Sequence, residues 1–164
     1  MRKRIVATIL ATAVALSTSA CDPLAPPGPG EQVNVMDGDA DRSAVLWRSA
    51  SYAGLAFPAG ARTVAAAVES RGFTVSHSYV HAVIGLAELD TFLRDSDLTM
   101  PGAPADSLTL RPWYGEGENG QLVLAGPAYR LSKGTRDGLN YGESLKVYLR
   151  TSAESVDVYY FLSR

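Results

Sequence analysis

The chain has 164 residues, with 15 basic and 17 acidic side chains and a net charge of −2. It lacks the basic footprint that nucleic-acid binding requires. The three basic residues before its single cysteine leave twelve against seventeen acidic ones when removed, a charge of −5 that also argues against a polybasic membrane patch.

Arg2, Lys3 and Arg4 form a compact basic cluster, and the run from Ile5 to Ala20 then carries no charge. Its core, Ile5 to Leu16, is apolar apart from two threonines, and the small residues Ser17, Thr18, Ser19 and Ala20 follow. A basic region, a short apolar region and small residues in that order make up a secretory signal. The run is shorter than the roughly 20 apolar residues of a spanning helix. Cys21 is the only cysteine, so an internal disulfide is excluded and the residue needs another role.

Ser17-Thr18-Ser19-Ala20-Cys21 resembles the lipobox of bacterial lipoproteins. The resemblance implies export, diacylation of Cys21 and a mature N-terminus at that cysteine. The motif departs from the family at Thr18, where Leu is favoured; Leu16 stands two residues earlier. Thr18-Ser19-Ala20 also suits ordinary signal peptidase, so simple secretion is the alternative. Each buried methylene contributes about 0.8 kcal/mol, so a diacylated cysteine would stay on the membrane.

Asp22 to Asp41 is read as a tether. Asp22 to Gly30 holds four of the nine prolines, which favour an extended chain. Gln32 to Asp41 is polar and acidic, with no apolar period. The organisation expected is therefore a signal peptide over 1–20, the lipidated cysteine and tether over 21–41, and one domain over 42–164, long enough to bury a core without staples.

Within that domain Ser43 to Tyr52 reads as a short helix. Thr63–Val68 and Phe73–Ile84 read as strands around a Ser70-Arg71-Gly72 turn. Leu86, Leu89, Phe92 and Leu93 recur at helical spacing. Leu108–Tyr114 and Gln121–Leu124 are strand candidates either side of a loose Gly115–Gly120 turn. Ser144–Thr151 and Val156–Leu162 alternate with period 2 across the short link Ser152–Ser155, a hairpin signal. The expected fold is α+β, an antiparallel β-sheet with one or two helices packed on one face.

This plan resembles the small hypothetical lipoproteins common in actinobacteria. The resemblance rests on the export segment, the proline-rich tether, the Phe57-Pro58-Ala59-Gly60-Ala61 turn and the strand followed by Leu89-Asp90-Thr91-Phe92-Leu93. It implies no activity.

Candidate chemistry is sparse. Asp37-Gly38-Asp39-Ala40-Asp41 begins like a calcium loop, but Arg42 and Arg48 stand where that loop needs Gly and Glu. His77 and His81 share a strand face about 13 Å apart, too far to share one zinc ion easily. Gly115–Gly120 carries Glu116 and Glu118 and would repel phosphate; as a tethered carboxylate pair they could serve acid–base chemistry on sugars. There is no Gly-x-Ser-x-Gly elbow and no Ser-x-x-Lys. No metal or cofactor is expected.

The aromatic residues Tyr79, Trp113, Tyr148 and Tyr159 fall on both faces of the expected sheet. If one face is open they are candidates for binding; the alternative is a second covering layer formed by Ser43–Tyr52 with Trp47. The functional expectation is a membrane-anchored extracytoplasmic lipoprotein, a non-enzymatic binding or accessory module of the cell envelope. Its partners would be the membrane, through the lipid on Cys21, and an envelope protein or small ligand, with no nucleic acid. The alternative is an envelope hydrolase with a carboxylate site; a third reading is an accessory that regulates a membrane sensor.

Overall fold

The computed structural model describes residues 31–134 and 144–164. The export segment, Cys21 and the proline-rich stretch lie outside the described residues. Among the described residues the elements run β1 (Glu31–Val35), α1 (Asp39–Ala53), β2 (Arg62–Arg71), β3 (Thr74–Gly85), a 3-10 turn (Leu86–Glu88), α2 (Leu89–Asp95), β4 (Leu98–Thr99), β5 (Ala105–Leu110), β6 (Leu122–Lys133), β7 (Ser144–Thr151) and β8 (Ser155–Ser163). The fold is α+β, with all strand pairs antiparallel in the order β1-β2-β3-β8-β7-β6. β6 carries β5 along its N-terminal half and β4 at its C-terminal end.

The β7–β8 hairpin follows from its period-2 pattern. Val147 faces Tyr160 and Leu149 faces Val158, so the middle of one face of the pair is built from large hydrophobic side chains. Its turn closes with the Ser152 N–H donating to the Ser155 carbonyl at 2.9 Å. The β2–β3 hairpin turns through Gly72 and Phe73, with Arg71 opposite Thr74 and Gly72 at φ +61°. Glycine takes that conformation without strain.

Both faces of the sheet are covered. On the first, Ala66, Val80, Ala82, Ile84, Val158 and Tyr160 pack under Leu46, Ala50 and Ala53 of α1 and Phe92 of α2. The hydroxyl of Tyr160 donates to the Leu46 carbonyl at 3.1 Å and lies 2.7 Å from the Ser49 hydroxyl, which satisfies its buried polar tip. On the second, Ala67, Tyr79, Tyr159 and Phe161 pack under Leu110, Trp113, Leu124 and Ala128. On β6, only Ala128–Leu131 pair with β7, so residues 122–127 run on past it with β5 as partner. This β5–β6 arm is the second cover.

Three expectations are corrected. The run expected as tether up to Asp41 contains β1, paired from Glu31 opposite Arg71 to Val35 opposite Ala67, and the first turn of α1. Two alternating valines are too short a period to stand out, and β1 draws its order from β2. Asp39 and Asp41 sit in the first turn of α1, where the helix dipole favours negative charge, and Arg42 pairs with Asp39. Next, β6 extends nine residues beyond the expected Leu124, to Lys133. Gly126-Pro127 hides it in the sequence, yet Pro127 falls at the register shift of the β5–β6 ladder, where a missing N–H is tolerated. Lastly, the strand expected through Tyr114 stops at Leu110, before the cis Arg111–Pro112 bond.

Candidate functional site

Of the four aromatic residues that an open sheet face would make candidates for binding, three are buried. Tyr79 is fully buried, and Trp113 and Tyr159 keep only 2% and 3% of their exposure. Tyr148 alone of the four is half-buried. Tyr79 sits edge-on to Trp113, and its hydroxyl donates to Glu69 at 2.9 Å. Burial, then the Glu69 carboxylate, raises its pKa far above the ordinary tyrosine value. Tyr159 is likewise raised, by burial and then Asp157, and Tyr148 by burial. These phenols are neutral structural groups. The expected cover by Ser43–Tyr52 does not account for their burial, since α1 lies on the opposite face and Trp47 is 43% exposed.

Beside them the chain assembles a charged network. His81 is buried and stacks on Tyr159 at 4.2 Å between ring centroids. Its Nδ1 lies 3.0 and 2.9 Å from the two carboxylate oxygens of Glu116, and its Nε2 lies 2.9 Å from Asp157 Oδ1. Asp157 Oδ2 accepts two further bonds from Arg150, at 3.1 and 2.9 Å. Burial pushes the Asp157 carboxyl up, but the bonds from His81 and Arg150 outweigh it and hold it below its ordinary range. His77 does not join this group: it stacks on Phe161 and faces Glu69 at 3.3 Å. Glu116 and Glu118 also part company, because Glu118 turns its backbone onto Gln121.

A cleft among the described residues lies elsewhere. Between α1 and the end of the sheet that carries the β2–β3 turn is a cleft of about 360 Å³. Its apolar wall is Met36 and Val45 on one side and Val68 and Val75 on the other, all half-buried. The buried serines Ser49 and Ser78 line it too. Arg48 from α1 and Arg164 after β8 stand exposed at its rim. Arg164 is held by its N–H, which donates to Ser76 at 2.8 Å, and by its guanidinium, which lies 3.7 Å above the Tyr52 ring. Neither arginine is in an ion pair among the described residues.

No protein-family model, curated protein or solved structure matches the chain. The cleft residues gave no signal in sequence, because α1, β2, β3 and the residue after β8 meet only in the fold. One clue was available: Val45 and Arg48 are three apart, which places an apolar and a cationic side chain on neighbouring positions of one helix face.

Proposed function

We propose that the chain is a lipid-anchored, extracytoplasmic binding module of the cell envelope, without enzymatic activity, and that the cleft beside α1 holds its ligand. The ligand class is a small amphiphile with an anionic head. One observation carries this reading: two guanidinium groups that form no ion pair among the described residues stand at the rim of a cleft whose wall is aliphatic and half-buried. Such walls gain by covering their remaining apolar area, and arginine is well suited to planar carboxylate or phosphate. The volume falls at the lower end of the range for small-molecule sites. The basic cluster, the apolar run and the lipobox-like Cys21 support the address.

The hydrolase alternative would rest on Glu116 and Asp157. Both carboxylates are engaged by His81, and Asp157 is held as an anion rather than as a proton donor. Neither lines the cleft.

Titrating the mature full-length chain with decanoate, and with decanol as the uncharged control, tests the site. Decanoate should bind, and the Arg48→Ala, Arg164→Ala double variant should weaken it about tenfold or more, the equivalent of at least about 1.4 kcal/mol. Equal binding of acid and alcohol, or none of the acid, overturns the reading. The address is checked by fractionation, in which Cys21→Ala should move the chain from membrane to soluble fractions.

A further inference from the structure

The β2–β3 turn presents an aromatic side chain that the fold does not use. Phe73 is fully exposed, at 110% of its reference area, whereas the neighbouring aromatic residues Tyr79 and Phe161 are packed. Arg71, Gly72 and Thr74 around it are exposed as well. The chain enters the domain at this same end, because Glu31, the first residue of β1, pairs with Arg71. Only nine residues, 22–30, separate Cys21 from Glu31. Fully extended, that stretch reaches no more than about 36 Å.

We propose that the β2–β3 turn is the membrane-facing end of the domain, with Phe73 entering the headgroup region of the bilayer and Arg71 meeting anionic headgroups beside it. The proposal rests on the lipid anchor at Cys21. A tether that joins the domain at its aromatic tip confines that tip to within about 36 Å of the anchor. Confinement raises its effective concentration, so the modest affinity of one aromatic ring and one cation suffices. An aromatic ring gains by leaving water for the interface, and a tight turn projects it beyond the flanking backbone. The cleft, lined by Val68, Val75 and Arg164, lies near the same end of the sheet.

The test uses the mature lipidated chain carrying Phe73→Trp, reconstituted in vesicles of phosphatidylcholine and phosphatidylglycerol with or without brominated acyl chains. The parent chain, with Trp47 and Trp113, sets the background. The indole at position 73 should emit at shorter wavelength on vesicles than in detergent-free buffer, and bromine should quench it beyond the background. Adding Arg71→Ala should reduce that quenching. A chain that floats with the vesicles but shows no added quenching overturns the membrane-facing tip and leaves the anchor standing; the turn would then be free for a protein partner. A chain that does not float removes the anchor, and the proposal with it.

Discussion

Asp157 joins two strands and a loop by accepting from Arg150 on β7 and from His81 on β3, while the same imidazole reaches Glu116. Its folded pKa lies below the ordinary aspartate value of 3.8, so the unfolded chain binds the proton more readily. The stability it contributes is complete above that ordinary value and is lost as pH falls through the lower folded one. Asp157→Asn should therefore flatten the acid side of a plot of Tm against pH below about pH 4. At neutral pH it should cost about 1–3 kcal/mol by weakening the bonds to the imidazole and guanidinium. An unchanged acid slope would contradict the pairing. Nothing local announces this cluster, since Asp157 is 76 residues from His81 and Glu116 is 35 away. The sequence does separate the Tyr79 and His81 face of β3 from the Val80 and Ala82 face. Alternation assigns a side chain to a face without saying what lies over it, and for that reason the exposure of Tyr79, Trp113 and Tyr159 stayed open in the sequence.

The loop between β5 and β6 shows how one backbone position supports an element. Gly117 has φ +82°, and a methyl group there would meet the Gln121 carbonyl oxygen at 2.1 Å. Across the same turn the N–H of Glu118 donates to Gln121, and that of Trp113 to Gly120. Gly117→Ala should cost about 1–3 kcal/mol and shift the emission of Trp113 to longer wavelength as its cover loosens. A melting curve together with the emission spectrum checks both. Elements were legible where their own residues carry the period. The β7–β8 hairpin and β3 stand close to the bounds read from sequence, and the helix expected over Ser43–Tyr52 lies inside α1. Elements ordered by a neighbour were not. β1 has two valines and borrows its ladder from β2, and β6 continues across Gly126-Pro127 because β5 holds the residues before them and β7 those after.

The two cores share one sheet, and β3 and β8 belong to both: Tyr79 and Val80 are each fully buried, on opposite faces. Loss of one layer therefore exposes residues whose backbone supports the other. Leu46→Ala, beneath α1, should cost about 2–5 kcal/mol. It should lower a single transition seen equally by far-UV circular dichroism and by the fluorescence of Trp113 on the far side. Diverging midpoints would mean that the layers melt separately. The sheet order carries a consequence for how such a chain is delivered. β8 follows every other described strand, yet it lies in the middle, with Gly85 of β3 opposite Ser155. Until it arrives, the β2–β3 hairpin keeps one edge open and the two halves of the sheet have nothing to join them. If the chain is exported from its N-terminus as proposed, it stays unfinished and threadable until β8 has passed, and locks only on the far side.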